Sequence, residues 1–263
     1  MIAKKRGRLK IFIVAIAAML VGGYIAAAIL LFFFQRSLLY ARSAAAPPAN
    51  VTVNSFRSEN ETIAVITREV EGSKALVYFG GKGEDVAVPF AKLAEELPDR
   101  SLYFMYYRGF GPSTGLPTEA GIKADGLTVF DAARTKYAKV AVMGRSLGSG
   151  IATYVAASRD VDQLVLTTPY DSIENVAKGR FPIFPVSMIL EDKFDSAAIA
   201  PNIKADTLVI LADRDWSIPR ARSEKLIEKF NAKLAVVTLP GTDHNSVAQD
   251  ENYVVTVRDF LRN

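Results

Sequence analysis

One serine lies in a sequence context that suits a catalytic nucleophile. A short apolar run, residues 140–143, leads directly into a Gly-x-Ser-x-Gly sequence centred on Ser146, and small and apolar residues follow it. A strand, such a turn and a helix, in this order, form a nucleophile elbow, which leaves the Ser hydroxyl exposed beside the helix N-terminus. The pattern predicts Ser146 as a nucleophile for acyl transfer. The alternative is a glycine-rich β–α turn of another doubly wound protein.

A second Gly-x-Ser-x-Gly sequence, centred on Ser113, provides an internal comparison. No apolar strand runs directly into it, and Pro117 follows too closely for a helix to begin at this serine. We therefore predict that Ser113 is a loop residue.

A serine hydroxyl is a weak nucleophile and needs a neighbouring base, usually a histidine. The chain has a single histidine, His244, shortly after the apolar run at residues 234–239. In a doubly wound sheet, the reactive groups gather at the carboxyl ends of the strands. We expect His244 to lie at such an end and to act as the base for Ser146.

The histidine in turn needs a carboxylate that fixes its tautomer and stabilises its charged form. Asp213 and Asp215 both follow the preceding apolar run, residues 207–211. Asp215 lies deeper in that turn and is the preferred candidate, which leaves Asp213 as a surface carboxylate. Asp243 is adjacent to the histidine, and the side chains of adjacent residues do not face one another well.

Acyl transfer also requires backbone N–H donors for the oxyanion that develops. One donor is predicted at Leu147, directly after the nucleophile. The other is predicted at Gly81, because the loop after Phe79 is rich in glycine and lets the backbone approach a substrate. A phosphate-binding Walker loop would read Gly-x-x-x-x-Gly-Lys-Ser/Thr, and this loop does not.

The order of elements in residues 51–263 is typical of an α/β protein. A predicted β-hairpin at 51–56 and 62–70 comes first, and apolar strands then alternate with helices. We predict further strands at 75–79, 102–106, 139–143, 164–167, 207–211 and 234–239, and helices beginning at Pro89, at 122–137 and at the C-terminus. This alternation predicts a mostly parallel, twisted sheet with helices on both faces. Only residues 169–203 are long enough to hold a lid, so the cap is expected to be minimal.

The N-terminal segment predicts a membrane anchor. Residues 11–34 carry no charge, and as a helix they would span about 36 Å, enough to cross a bilayer core. Because basic residues are concentrated before this run, the positive-inside rule places the N-terminus in the cytoplasm and the rest outside, in the periplasm if the cell is Gram-negative. The alternative is a signal peptide cleaved at residues 44–46, but its apolar stretch would be only about 7–15 residues.

Charge and cysteine content narrow the class of protein further. The first 42 residues hold seven Lys and Arg and no Asp or Glu, which leaves 25 basic against 28 acidic residues in the remainder. The net charge of +4 therefore comes from the anchor and does not indicate a nucleic-acid partner. The absence of cysteine excludes disulfides and a thiolate nucleophile. We assign residues 1–10 to a basic cytoplasmic segment, 11–34 to the anchor, 35–50 to a linker and 51–263 to one catalytic domain.

The chain resembles the α/β-hydrolase superfamily, in particular its membrane-tethered, minimally capped members similar to serine aminopeptidases and prolyl-oligopeptidase-like hydrolases. The resemblance covers nearly the whole chain and keeps the family order Ser, Asp, His. It is carried by residues 35–40, 107–119, 144–148, 168–172 and 215–219 and by His244-Asn245. The family pattern Asp-x-x-Val/Ile-Pro also favours Asp215. One departure is Phe79, which stands where members often have His and is expected to change how the oxyanion loop is held.

The candidate residues and the resemblance together imply a membrane-anchored serine hydrolase. Ser146, His244 and Asp215 would form its triad, with Gly81 and Leu147 as oxyanion donors. Carboxylic esters or thioesters are the expected substrates, and the anchor and the apolar segment 181–190 favour lipid-like acyl compounds. This chemistry needs no metal ion or organic cofactor. An acyltransferase or peptidase with the same triad, and a catalytically silent membrane-tethered binding protein, are the alternatives.

Overall fold

A mostly parallel sheet forms the centre of the catalytic domain, as predicted. The computed structural model describes residues 2–41 and 46–262. In this part of the chain, eight strands make one sheet: β1 (Thr52–Ser58), β2 (Glu61–Arg68), β3 (Lys74–Phe79), β4 (Ser101–Met105), β5 (Lys139–Arg145), β6 (Gln163–Thr167), β7 (Asp206–Ala212) and β8 (Leu234–Leu239). The strand order is β1-β2-β4-β3-β5-β6-β7-β8. The β1–β2 hairpin and the β2–β4 pair are antiparallel, and the other pairs are parallel.

Helices cover both faces of this sheet. The α-helices of the described residues are α1 (Ile2–Leu39), α2 (Ala87–Glu96), α3 (Glu119–Lys136), α4 (Leu147–Ser158), α5 (Ile173–Arg180), α6 (Val186–Ile189), α7 (Ser196–Ile199), α8 (Arg220–Ile227) and α9 (Glu251–Arg262), and α1 does not lie on the sheet. Side chains alternate along each strand, so Val77 and Phe79 of β3 pack in a cluster with residues of α3 and α4, whereas Leu76 and Tyr78 pack in a second cluster with α2 and α9. The two faces of the sheet therefore carry separate cores.

Two helices begin earlier in the chain than predicted. The helix predicted to begin at Pro89 begins at Ala87, whose N–H donates to the Asp85 carboxylate at 3.1 Å. Pro89 then lies in the first turn, where its missing N–H has no helical partner to lose. The helix predicted at 122–137 begins at Glu119, because the Thr118 hydroxyl accepts the Gly121 N–H at 3.1 Å.

The N-terminal helix continues beyond the predicted anchor. α1 is one helix of 38 residues that ends at Leu39, so the first residues of the predicted linker are helical. Its portion from Lys10 to Leu39 is long and apolar enough to cross a membrane. Tyr40, directly after it, is buried in the core of the catalytic domain. The alternative processing site at residues 44–46 lies largely outside the described residues.

The predicted cap consists of three short helices, α5, α6 and α7, between β6 and β7. Glu174 connects α5 to α6 and to the segment that leads to α7. Its carboxylate pairs with Lys178 at 2.6 Å and with Lys193 at 3.2 Å, and it accepts the Ser187 hydroxyl of α6 at 2.7 Å. The pKa of Glu174 is lowered to about 2, mainly by the hydrogen bond from Lys178 and next by the hydrogen bond from Ser187. The charged carboxylate therefore stabilises the folded cap.

Replacing Glu174 with Gln should make the stability of the protein less dependent on acidic pH. A carboxyl with a depressed folded pKa contributes stability above its unfolded pKa, near 4.3, which is lost as the pH falls toward about 2. We expect Glu174→Gln to lower the free energy of unfolding by about 1 kcal/mol at pH 7 and by almost nothing near pH 2. The effect at pH 7 is small because the ion pairs of Glu174 are partly solvated. Denaturant unfolding at both pH values measures this. Glu71→Gln, at an exposed turn, is the control, and an equal deficit at both pH values would contradict the expectation.

Candidate active site

Ser146 occupies a strained turn between β5 and α4. Its backbone φ is +50°, a left-handed conformation that is unusual for a residue with a side chain. The glycines on either side permit the turn, because a Cβ on Gly144 would lie 2.2 Å from the carbonyl oxygen of Gly148. The Ser146 N–H donates to the Thr167 carbonyl at 2.9 Å, which fixes the turn to β6. The elbow geometry holds the Ser146 hydroxyl at the carboxyl edge of the sheet.

Three side chains from separate loops meet at this edge. The Ser146 Oγ lies 2.8 Å from His244 Nε2, and His244 Nδ1 lies 2.8 Å from Asp215 Oδ2. Ser146 follows β5, Asp215 follows β7 and His244 follows β8. The Asp215 side chain is only 6% exposed and that of His244 15%. The structure thus brings together the three residues that the sequence singles out, in hydrogen-bonding order.

The two alternative acids differ clearly in position. Asp215 Oδ1 accepts the backbone N–H groups of Ser217 and Ile218 at 2.8 and 2.7 Å, which leaves its second oxygen for the histidine. Asp213 instead is exposed and accepts the Gly241 N–H at 3.2 Å. Asp243 accepts the N–H groups of the two residues after His244 and so shapes the turn. Only Asp215 of these three contacts the imidazole.

The second Gly-x-Ser-x-Gly sequence has a structural role. Ser113 lies in the loop between β4 and α3 and is buried. Its hydroxyl donates to the Tyr106 carbonyl and accepts the Ala64 N–H, both at 2.9 Å. The prediction that Ser113 is a loop residue is therefore confirmed.

The two predicted oxyanion donors differ in whether their N–H group already donates to a side chain. Leu147 is the first residue of α4, where an N–H has no acceptor within the helix. The Tyr170 hydroxyl donates to the Leu147 carbonyl at 3.1 Å, and burial raises the pKa of Tyr170 well above its usual value, so it stays a donor. The Gly81 N–H, by contrast, donates to the Glu84 carboxylate. In this structure a side chain of the same loop accepts the Gly81 N–H, and the role of Gly81 as an oxyanion donor stays a prediction.

Sequence analysis missed the residues that hold the oxyanion loop. Glu84 also pairs with Arg145 at 3.3 Å and accepts the Tyr78 hydroxyl at 3.0 Å. Tyr107 donates its hydroxyl to the Gly80 carbonyl at 2.5 Å. Two of these contacts, those of Arg145 and Tyr107, join residues far apart in the chain, so the only sequence signal was Phe79 in place of the usual His. The loop is held by a carboxylate and a tyrosine instead.

Arg145 links the oxyanion loop to the histidine turn. Its guanidinium contacts Glu84 through Nη1 and donates to the His244 carbonyl through Nη2 at 2.9 Å. Because it precedes the nucleophile directly, one side chain positions both neighbours of the reacting centre.

Replacing Arg145 with Lys should weaken catalysis moderately. Lysine keeps the charge for Glu84 but cannot make both contacts, and a hydrogen bond to a charged group contributes about 1.5–3 kcal/mol. We expect kcat to fall about tenfold, the equivalent of about 1.4 kcal/mol, with KM nearly unchanged. Steady-state hydrolysis of a soluble ester measures the split. Arg159→Lys, at an exposed ion pair with Asp131, is the control, and an increase in KM alone would contradict a positioning role.

A cavity of about 430 Å³ opens beside Ser146 and His244. Its lining is mostly apolar. Besides the loops around Ser146 and His244, it comes from α1, from α5 and from five residues of the cap: Phe181, Phe184, Val186, Ile189 and Leu190. Lys82 and Arg180 add positive charge to the lining. The volume lies within the range typical of small-molecule and lipid sites. The candidate catalytic residues therefore face an apolar chamber that is large enough for an acyl group.

The fold is that of the α/β-hydrolases, and the chain is similar to proteins named as α/β-hydrolases. No family model matches the chain. Human protein ABHD12B is 29% identical over 223 residues, which cover 73% of this chain and 61% of that protein. Lysophosphatidylserine lipase ABHD12 of Macaca fascicularis is 37% identical over 167 residues, which cover 56% of this chain and 42% of that protein. The chain thus spans about three fifths of the first relative and less than half of the second.

A solved structure shares the fold over almost the entire chain. It is described as a membrane phospholipase A and a novel bacterial virulence factor, with a TM-score of 0.63 and 18% sequence identity. The superposition covers 97% of this chain and 98% of that protein. The two proteins therefore share a fold, and this chain has an N-terminal helix long and apolar enough to cross a membrane.

Proposed function

We propose that the protein is a membrane-anchored serine hydrolase that cleaves the carboxylic ester of acyl lipids through an acyl-enzyme. Ser146 attacks the carbonyl carbon, and His244 Nε2 takes the hydroxyl proton and returns it to the leaving alcohol. Asp215 holds the imidazole through Nδ1. Water then attacks the acyl-enzyme with His244 as the base, which releases the fatty acid.

One observation carries this proposal: two hydrogen bonds of 2.8 Å connect Ser146, His244 and Asp215. Such an array lets the imidazole accept a proton while the carboxylate balances its charge. The Leu147 N–H, at the start of α4, supports oxyanion stabilisation. The Gly81 N–H would become the second donor once the oxyanion replaces the Glu84 carboxylate as its acceptor.

The pocket and the relatives support a lipid as substrate. Apolar side chains dominate the chamber, as binding of an acyl chain requires. One relative is named a lysophosphatidylserine lipase, and a protein of the same fold is a membrane phospholipase. Lys82 and Arg180 would suit the phosphate of a lipid headgroup.

The anchor supports a location at a membrane. Contacts between α1 and the α/β domain support an anchor that is not cleaved: Arg36 pairs with Asp192 at 3.0 Å, and Gln35 accepts the Glu191 N–H at 2.7 Å. A signal peptide removed on export would not make such contacts. The basic N-terminus supports an orientation in which α1 starts in the cytoplasm and the α/β domain lies on the outer side of the cell membrane.

A fluorophosphonate probe tests the proposed nucleophile. The full-length protein in detergent should be labelled, and Ser146→Ala should not be labelled, because the probe requires an activated hydroxyl. Ser113→Ala, in the second Gly-x-Ser-x-Gly sequence, is the matched control and should be labelled like the wild type. Equal labelling of Ser146→Ala and the wild type would remove Ser146 from this role.

A substrate panel then separates the reaction classes. Long-chain lysophospholipids, acyl thioesters and peptide amides should be compared with and without an added alcohol acceptor. We expect release of free fatty acid from the lysophospholipids. Transfer of the acyl group to the alcohol in preference to water would identify an acyltransferase. Absence of both probe labelling and turnover would identify a binding protein.

A further inference from the structure

The membrane helix itself forms part of the wall of the active-site pocket. Leu31, Gln35 and Leu38 of α1 line the same cavity as Ser146 and His244. They are four and three residues apart, so they lie on one face of the helix. The route from the bilayer to the nucleophile therefore runs along α1.

The tip of the cap contacts α1 well inside its apolar run. The rings of Phe184 and Tyr24 stack in parallel with centroids 5.2 Å apart, and the Tyr24 hydroxyl donates to the Ile183 carbonyl at 2.9 Å. Tyr24 lies about 15 Å along the helix from residue 34, where the uncharged run ends. The uncharged run is about 6 Å longer than the bilayer core, so the edge of the core lies at most about 6 Å along the helix from residue 34. Tyr24 and its contact with the cap therefore lie at least about 9 Å inside the core.

The surface of this tip is apolar. Residues 181–190 contain no charged side chain. Ile183 is 71% exposed and Met188 85% exposed, on the part of the cap that lies beside α1. Basic residues Lys178 and Arg180 directly precede the segment, where their long side chains would reach lipid headgroups. This distribution matches an element that enters an interface by about 5–10 Å.

Several backbone polar groups of the tip have hydrogen-bond partners within the protein, which favours entry into hydrocarbon. Irregular backbone enters a bilayer only where its polar groups are satisfied. The N–H groups of Phe184, Val186 and Met188 each donate to a carbonyl within the segment. The Ile183 carbonyl accepts from Tyr24, and the Ile189 carbonyl accepts the Gln35 amide at 3.1 Å. Pro182 and Pro185 have no N–H to satisfy.

We propose that residues 181–190 of the cap insert into the leaflet beside α1, and that the acyl chain of the substrate moves laterally from this leaflet into the pocket between α1 and the cap. The insertion stands on the contacts with Tyr24 and the apolar surface alone, whereas the lateral path rests on the proposed lipid hydrolase function. The partner of this surface is the hydrocarbon of the bilayer.

Insertion is measured with the full-length protein in phosphatidylcholine vesicles. Because the chain has no cysteine, Ile183→Cys takes an environment-sensitive fluorophore at one position only. Val88→Cys is the matched control: Val88 is 60% exposed and lies on α2, which packs on the face of the sheet opposite Tyr40. The label at position 183 should be quenched by phosphatidylcholine with a spin label on its acyl chain and protected from iodide. The label at position 88 should show the reverse.

The lateral path is measured by activity. The double variant Ile183→Asp/Met188→Asp should lower kcat/KM about tenfold for a long-chain ester within vesicles, because charge disfavours insertion, and leave a soluble p-nitrophenyl ester within about twofold. Val88→Asp should change neither activity.

Equal access of iodide to positions 183 and 88 would overturn the insertion. An equal loss of activity for both substrates, or no loss, would overturn the lateral path. A wild type that neither takes the fluorophosphonate nor cleaves any ester would refute the proposed function while the fluorescence result still decides the insertion.

Discussion

Asp215→Asn should lower kcat about 10⁴-fold while the fold is kept. The Asn oxygen can still accept the Ser217 and Ile218 N–H groups, which the Asp215 Oδ1 accepts at 2.8 and 2.7 Å, so the loop after β7 stays in place. The amide NH₂ would then face His244 Nδ1 and donate to it. That contact favours the tautomer with its proton on Nε2, which cannot accept the proton of Ser146. Ester hydrolysis under substrate saturation measures kcat, and thermal unfolding verifies the fold.

Asp213→Asn is the matched control for this loss. Asp213 is exposed, two residues earlier in the same loop, and only accepts the Gly241 N–H at 3.2 Å, which Asn can also do. We expect its activity to stay within about twofold of the wild type, as for most surface substitutions. A larger loss of activity for Asp213→Asn than for Asp215→Asn would show that Asp213, and not Asp215, is the acid that orients His244.

Local patterns were sufficient to predict the scaffold of the site. The strands are short apolar runs, and each of the three candidate catalytic residues lies in the loop after one of them. The strand order was therefore not needed to predict that they lie at one edge of the sheet. The glycines around Ser146 also follow from local geometry, since the turn at φ +50° leaves no room for side chains on either side. The distinction between Asp213 and Asp215 came from their depth in one loop.

Contacts between distant parts of the chain were not predictable in this way. The acceptor of the Gly81 N–H is decided by how the loop folds back onto Glu84, and the charge of Glu84 is held there by Arg145, 61 positions later. Likewise, the stacking of Tyr24 on Phe184 joins residues 160 positions apart, and no periodicity in either segment encodes it. Hydropathy could identify α1 as an anchor but could not show that one of its faces lines the pocket.

Gly148→Ala should destabilise the protein by about 3 kcal/mol or more and abolish activity. A Cβ at this position would lie 2.0 Å from the carbonyl oxygen of Phe79 and 2.6 Å from that of Gly80. Both are backbone atoms at the end of β3, which is paired with β4 on one side and β5 on the other, so neither can move away cheaply. The clash would push α4 away from the oxyanion loop and separate the two predicted donors. For a domain of this size the melting temperature should fall by about 6–12 °C.

The matched control is Gly179→Ala in α5. A Cβ there would meet no atom within 4 Å beyond its chain neighbours, and alanine favours a helix over glycine by about 1 kcal/mol, so this variant should melt at or above the wild-type temperature. Differential scanning calorimetry and ester hydrolysis measure both variants. A Gly148→Ala protein with wild-type melting temperature and activity would contradict the packing of α4 against the end of β3. The elbow would then not depend on the close approach of these two backbones.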